Sequence, residues 1–241
     1  MSIFKAYDIR GIVPSELNEE NAKKIGKAIV TFLKCKQIVV GRDMRLSGKD
    51  IFYALAEGII ESGCDVLDIG IASTPMCYFA VGSLKAAGSI MITASHNPPE
   101  FNGFKLTRED AIPISGDSGI KEIEKIFDSG EFVKVSETRG KVLTQEVWKS
   151  YAEHVLKFID VSSVKKVLSG KKIVVDAGNG MGALETEMVL RKLPCSLVEL
   201  FCKLDGNFPN HEADPLKEEN TKVLREKVVG EKADLGIAFD G

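Results

Sequence analysis

Short apolar runs rich in β-branched residues alternate with stretches of helical periodicity along most of this chain. In the first half, residues 37–41, 65–69 and 89–92 form three such runs. Buried strands of parallel sheets have this continuous apolar character. The stretches 18–34 and 49–62 repeat apolar residues at helical spacing, which predicts amphipathic helices. The alternation therefore predicts an α/β fold, with largely parallel sheets and helices on both faces.

The segment that follows the third run departs from the alternation. Apolar residues at 104–106 and 111–114 flank a polar stretch, a pattern typical of a β-hairpin. We therefore expect a mixed sheet, followed by a helix at about 117–128. Residues 129–144 show weak periodicity and are interpreted as the tail of the first domain.

The strand and helix pattern restarts in the second half of the chain. Residues 172–176, 197–200 and 235–239 predict strands, and a glycine-rich turn at 177–182 follows the first of them. A helix at 145–159 is expected to bridge the two halves.

The repeated pattern predicts two similar α/β domains, 1–144 and 145–241. The final predicted strand runs into Asp240-Gly241, where the sequence stops. Because a buried strand rarely ends a domain without further coverage, we expect the second domain to be truncated.

Composition excludes several classes of protein. The hydrophobic fraction of 44% and charged fraction of 28% are those of a globular protein, and a net charge of −3 argues against a nucleic-acid surface. The sequence has no long basic run, so no polybasic membrane patch is expected. The N-terminal residues lack the apolar region of a signal peptide. The five cysteines form no CxxC pair, so reduced thiols in a cytoplasmic protein are expected.

The loop at 93–105 carries a nucleophile, Ser95, directly after an apolar run. A serine hydrolase is disfavoured, because the neighbouring His96 cannot easily act as the base for an adjacent serine and the chain has no GxSxG elbow. Gly103 is expected to turn the backbone so that Lys105 points toward Ser95. Our interpretation is that Ser95 carries a phosphoryl group.

Three further features are weaker by themselves. Asp240 follows an apolar strand and could bind a hard cation, although it could equally be a turn residue. Arg10 lies in a compact run with Tyr7 and a glycine, a composition suited to phosphate or sugar recognition. The glycines at 178–182 read GxGxG, which favours a tight turn over a dinucleotide site.

Taken together, these stretches resemble the α-D-phosphohexomutases, in the phosphomannomutase/phosphoglucomutase branch. The resemblance spans the whole chain in order and is most specific at the serine loop. The stretches that carry it are Lys5-Ala6-Tyr7-Asp8-Ile9-Arg10-Gly11, Gly41-Arg42-Asp43-Met44-Arg45, Thr93-Ala94-Ser95-His96-Asn97-Pro98 with Asn102-Gly103 and Lys105, residues 174–180, residues 206–211 and residues 235–241.

The resemblance implies a hexose-phosphate mutase that interconverts 1- and 6-phosphates through a phosphoserine and a hexose 1,6-bisphosphate. Ser95 would be the phosphorylated nucleophile and would share Mg²⁺ with Asp240. The residues around the transferring group would be Tyr7, Arg10, His96, Asn97 and Lys105. Lys105 and His96 are both candidates for the general acid or base. The resemblance also allows a homodimer.

The departures from the family pattern are large. The family's metal loop reads DGDGDR, and its later acids and arginine would follow Gly241. The domains that recognise the sugar and the second phosphate would also lie outside this sequence. We therefore expect the chain alone to be inactive as a mutase. The alternatives are a phosphoglucosamine mutase, whose N-terminal motif differs from AYDIRG, and a noncatalytic fragment that keeps only fold and contacts.

Overall fold

The computed structural model describes residues 2–133 and 138–241, and the chain folds into two compact units. The first unit holds the chain up to Ala94 together with Glu100–Val147. The second holds Ser95–Pro99 together with Trp148–Gly241. The predicted domain boundary between residues 144 and 145 stays a prediction.

The first unit is built on one mixed six-stranded sheet with helices. Its elements, in chain order, are β1 (Ile9–Ile12), α1 (Glu19–Leu33), β2 (Gln37–Arg42), α2 (Gly48–Glu61), β3 (Asp65–Ile71), α3 (Thr74–Ser83), β4 (Gly88–Ile92), β5 (Phe101–Arg108), α4 (Lys121–Ser129) and β6 (Val142–Thr144). The strand order is β1-β5-β4-β2-β3-β6. Strand β5 pairs antiparallel with both β1 and β4, whereas the pairs β4-β2, β2-β3 and β3-β6 are parallel. This pairing confirms the predicted mixed sheet.

Local signals explain where the first helix begins and ends. The side chain of Asn18 accepts a hydrogen bond of 2.9 Å from the backbone N–H of Asn21, and two glutamates occupy the first turn. Lys34, with a φ of 51°, ends the helix in the left-handed conformation. The capped amphipathic pattern is therefore sufficient to place α1.

Helices α1 and α2 pack so closely that two positions of contact admit no side chain. A Cβ atom added at Gly58 would lie 2.0 Å from the backbone oxygen of Lys23, and one added at Gly26 would lie 2.5 Å from that of Leu55. The two backbones therefore approach each other directly. The core beneath them is formed by fully buried aliphatic side chains that include Ile25, Ile29, Leu55 and Ile59.

Two parts of the first unit differ from the sequence prediction. The second arm of the expected hairpin is no strand; it contributes only an isolated bridge between Thr107 and Pro113. The expected tail at 129–144 contains β6, which pairs in parallel with β3. Residues 134–137 of that tail lie outside the described residues.

The second unit contains a parallel three-stranded sheet with strand order β8-β7-β9. Its elements are α5 (Trp148–Leu156), α6 (Val161–Leu168), β7 (Lys172–Asp176), α7 (Gly182–Met188), β8 (Ser196–Leu200), α8 (Lys222–Gly230) and β9 (Leu235–Ala238). The helix expected at 145–159 is shorter than predicted and belongs to this unit. The following helix, α6, is capped by Asp160, whose side chain accepts a hydrogen bond from the backbone N–H of Ser162.

None of the helices in the described ranges combines the length and apolar character needed to cross a membrane.

Candidate active site

Ser95 follows the most deeply buried strand of the first unit. All residues of β4 are buried, and Thr93 and Ala94 after it are also buried. Ser95 itself has a φ of 53°, in the left-handed region that residues with a Cβ atom rarely occupy. Such a conformation costs on the order of 1–2 kcal/mol and persists only where the surroundings impose it. The backbone thus presents this serine in one fixed, strained orientation.

Within the second unit, Ser95 contacts the carboxylate of Asp240, which lies just after the last strand. Its hydroxyl donates a hydrogen bond of 2.6 Å to Oδ1 of Asp240, which lies just beyond the end of β9. His96 Nδ1 lies 3.1 Å from the other carboxylate oxygen, Oδ2. The side chains of His96 and Asp240 are 42% and 50% exposed, so a ligand can reach this group. The structure therefore joins three of the predicted site residues in one cluster.

The donor atoms of this cluster suit a hard cation. Ser95 and Asp240 offer oxygen atoms, which Mg²⁺ prefers over nitrogen and sulfur. Among the described residues, no group of three or more His, Cys, Asp or Glu side chains is arranged to hold a metal ion. The residues present therefore offer two oxygen atoms, from Ser95 and Asp240, that would suit a hard cation.

The backbone around Asp240 is fixed by neighbouring loops of the second unit. Gly241 N–H donates to the carbonyl of Ala213 at 3.1 Å. A Cβ atom added at Gly180 would lie 2.9 Å from Gly241 Cα. The glycine-rich turn after β7 therefore packs against the loop that carries Asp240 and supports it. The sequence predicted only that these glycines form a tight turn.

A second histidine is anchored beside this support. His211 Nε2 lies 3.1 Å from an oxygen of the buried Asp176, and its Nδ1 lies 2.7 Å from the carbonyl of Glu212. The ring also packs edge-on against Phe201. Both ring nitrogens face acceptors, so His211 holds the loop at 205–213 against the end of β7.

In the first unit, two predicted cations share one carboxylate. Arg10 lies in β1 and Lys105 in β5, and these antiparallel strands place Ile9 opposite Phe104. This register puts Arg10, Lys105 and Asp8 on the same face of the sheet. Arg10 contacts Asp8 at 2.5 Å, and Lys105 Nζ lies 3.9 Å from the same carboxylate. Two positive charges beside one negative charge leave a net positive group that suits a phosphate.

The remaining predicted residues differ in their surroundings. Tyr7 is 80% exposed, and Asn97 is partly buried in the segment that follows Ser95. Gly103 lies inside β5 opposite Arg10, so its expected role at a turn is wrong. A Cβ atom there would lie 2.1 Å from the carbonyl oxygen of Ile9, so the glycine allows β1 and β5 to approach.

Comparison with known proteins adds an independent line of support. Residues 1–134 match domain I, and residues 149–241 match domain II, of the phosphoglucomutase/phosphomannomutase α/β/α family models. The chain is 42% identical over 247 residues to a phosphomannomutase of Escherichia coli, with 100% of this chain and 54% of that protein covered. It is 42% identical over 238 residues to a protein named phosphohexose mutases from Xanthomonas campestris, covering 99% and 52% respectively.

A solved structure agrees with these sequence matches. The chain superposes on a phosphoglucomutase/phosphomannomutase family protein from Burkholderia thailandensis with a TM-score of 0.89 and 37% identity, covering 99% of this chain and 52% of that one. The chain thus spans about half the length of the curated relatives it matches. From its serine loop, its two α/β units and these matches, the chain belongs to the α-D-phosphohexomutase family.

Proposed function

We propose that this chain carries the phosphoserine of a hexose-phosphate mutase that interconverts hexose 1-phosphate and 6-phosphate. The observation that carries the proposal is the hydrogen bond from the strained, partly exposed Ser95 to Asp240. A carboxylate that accepts a hydrogen bond from the serine raises the electron density on Oγ, and a solvent-accessible loop gives a phosphorylated sugar access to it. Residues 1–144 and 145–241 are proposed as domain I and the beginning of domain II.

The proposed chemistry is a transfer of one phosphoryl group in each direction. Ser95 Oγ forms a bond to phosphorus of a hexose 1,6-bisphosphate while the bond from phosphorus to the sugar oxygen breaks. A general base takes the Ser95 proton and a general acid gives a proton to the sugar oxygen, which leaves as a hydroxyl; Lys105 and His96 are the candidates for these two roles. The reverse step, at the other end of the hexose, returns the phosphoryl group. The hexose bisphosphate is therefore the intermediate and the hexose phosphates are the substrate and product.

Charge neutralisation determines the roles of the remaining residues. Phosphoryl transfer depends mostly on positioning and on stabilising charge on the phosphoryl oxygens. We assign that stabilisation to Arg10 and Lys105, and sugar-phosphate contacts to Tyr7 and Asn97. We assign to His96, whose Nδ1 lies 3.1 Å from Asp240, the orientation of that carboxylate, and we keep His96 and Lys105 as the two candidates for the general acid or base.

We propose Mg²⁺ as the metal, bound by Asp240 and the oxygens at Ser95. When bound, Mg²⁺ would draw charge from the phosphoryl oxygens. All five cysteines are free thiols, which fits a reducing compartment, and we propose that the reaction takes place in the cytoplasm.

Phosphopeptide mapping tests the proposal directly. The 241-residue chain is incubated with glucose 1,6-bisphosphate and Mg²⁺, digested and analysed by mass spectrometry. We expect one phosphate, located on Ser95, and glucose monophosphate as the released product. Since the chain spans about half of its relatives' length, this partial reaction is the appropriate assay. Phosphate on another residue, or none, would contradict the proposal.

Asp240→Asn is expected to slow phosphorylation of Ser95 by about 10²-fold, because the amide keeps the shape of the side chain but loses the negative charge that would bind Mg²⁺ and that polarises the serine hydroxyl. The Mg²⁺ concentration that gives half the maximal rate should also rise. Asp234→Asn is the matched control, since Asp234 precedes β9, as Asp240 follows it, and pairs with Lys171 at 2.7 Å. Equal rates in the two variants would show that Asp240 takes no part in the reaction.

A further inference from the structure

A buried ion pair follows β2 in the first unit. The side chains of Arg45 and Asp43 are 0% and 1% exposed, and Arg45 Nε lies 3.3 Å from Asp43 Oδ2. Removing two charges from water costs several kcal/mol per ion, so such a pair adds little net stability compared with apolar residues of the same size. Because the ion pair adds little stability, its role is inferred from its contacts with the rest of the first unit.

Asp43 holds the segment that leads into the serine loop. Its backbone N–H donates to the carbonyl of Ile92, the last residue of β4, at 3.0 Å. Its carboxylate also accepts a hydrogen bond from the side chain of Thr93. Thr93 is buried and stands two positions before Ser95. Both backbone and side chain of Asp43 thus fix the upstream end of the loop.

Arg45 and Ser47 form hydrogen bonds with the segment that follows the serine loop. Arg45 donates to the carbonyl of Phe101 at 2.9 Å. Ser47 accepts from the side-chain amide of the buried Asn102 at 2.9 Å. A backbone hydrogen bond of 3.0 Å from Thr93 to Gly103 joins the two ends directly. Asp43 and Arg45 therefore form hydrogen bonds at both ends of the chain segment that contains Ser95.

We propose that Asp43 and Arg45 are positioning residues, which clamp the two ends of the serine loop and so fix the direction in which Ser95 presents its hydroxyl. This inference rests on the proposed function, in which Ser95 is the phosphoryl carrier. Misplacement of a reacting group by about 1 Å can cost about 10²-fold in rate, so a clamp at both ends of a short loop has a direct kinetic effect.

The electrostatics of the pair determine how it should be tested. Burial raises the pKa of Asp43, and Arg45 and Thr93 oppose that rise. Burial likewise lowers the pKa of Arg45, which Asp43 opposes. Removing either charge would leave the other buried without compensation and could unfold the chain. A neutral change at Thr93 weakens the clamp without removing a charge.

The test compares two buried threonines: Thr93, which directly follows β4, and Thr107, which lies in β5. Thr93→Val deletes the hydroxyl that Asp43 uses, whereas Thr93→Ser keeps it. Thr107→Val is the control, because the Thr107 hydroxyl is fully buried and bonds Ser89 at 2.8 Å at the opposite end of β4 and β5. Phosphorylation of Ser95 by glucose 1,6-bisphosphate and hydrogen exchange of residues 93–103 are measured for each variant.

We expect Thr93→Val to lower the maximal rate of Ser95 phosphorylation by about 10- to 100-fold, with little change in the bisphosphate concentration for half-maximal rate. Thr93→Ser should restore most of the rate. Thr107→Val should lose similar stability and keep the wild-type rate. Faster exchange in residues 93–103 should accompany Thr93→Val only.

Two results would overturn the inference. One is an equal loss of rate in Thr93→Val and Thr107→Val, which would indicate a general effect on the fold. The other is unchanged hydrogen exchange of residues 93–103 in Thr93→Val. If wild-type Ser95 accepts no phosphate at all, the proposed function fails, and the exchange comparison still decides whether the clamp exists.

Discussion

Replacing Ser95 with alanine is expected to abolish phosphate incorporation, with a loss of at least about 10³-fold relative to the wild-type chain. Alanine removes the only atom that can form the bond to phosphorus at this position, and His96 and Asp240 cannot replace it as a stable carrier. The measurement is the stoichiometry of bound phosphate after incubation with glucose 1,6-bisphosphate and Mg²⁺. Phosphate in the variant at the wild-type level would refute the carrier role.

A glycine variant separates the chemistry from the backbone strain. Ser95 has a φ of 53°, which glycine adopts without the penalty that a Cβ atom brings. Ser95→Gly should therefore be as inactive as Ser95→Ala but more stable than it by about 1 kcal/mol, as measured by urea unfolding. Equal stability of the two variants would indicate that the left-handed conformation is not imposed by the fold.

Replacing Gly58 with alanine is expected to lower the free energy of unfolding by about 2–3 kcal/mol. The added Cβ atom would lie 2.0 Å from the carbonyl oxygen of Lys23, a backbone atom that cannot rotate away. Helix α2 must move from α1, which opens the core around Ile25 and Ile59. Urea unfolding followed by circular dichroism measures the loss.

Gly82→Ala is the matched control for this effect. Gly82 also lies in a helix, α3, but a Cβ atom added there would meet no other atom within 4 Å. Alanine in this position should stabilise the chain by roughly 0.5–1 kcal/mol, because it restricts the unfolded chain. If both variants shifted stability in the same direction, close helix packing would not be the cause of the loss at Gly58.

The sequence was most informative where local pattern and burial agree. Helix α1 has a cap, an acidic first turn and one apolar face, and its observed bounds differ from the predicted 18–34 by one residue at each end. Strand β7 occupies the residues that were predicted, because a β-branched run in a parallel sheet is buried on both faces. Both elements carry their signal within a single stretch of chain.

Elements that depend on distant partners were missed. Strand β1 has too few residues for a periodic signal, and it forms because β5 pairs with it. The exposed β6 exists through its pairing with β3. The arm expected at 111–114 does not form a strand, since Asp110 and Ala111 adopt left-handed conformations that interrupt it. Tertiary pairing rather than local propensity decided each of these segments.

The residues of the candidate site were predictable from the sequence, but their contacts and burial were not. Ser95 and Asp240 were predicted from motifs, yet their contact is a property of the folded chain. Asp8, which Arg10 and Lys105 share, lies in the N-terminal stretch that carries the resemblance, but it was assigned no role from the sequence. Asp43 and Arg45 are charged residues in a turn, for which solvent exposure is the ordinary expectation. Only the folded structure shows that both are buried.

The hydrogen bond between Ser95 and Asp240 also has a consequence for the timing of biosynthesis. The two residues are 145 positions apart in the chain. A ribosome that adds about 5–20 residues per second therefore needs roughly 7–30 s between incorporating Ser95 and incorporating Asp240. During this interval the nascent chain contains Ser95 without the carboxylate that accepts its hydrogen bond. The hydrogen bond between Ser95 and Asp240 can form only when β9 has been synthesised and has paired with β7.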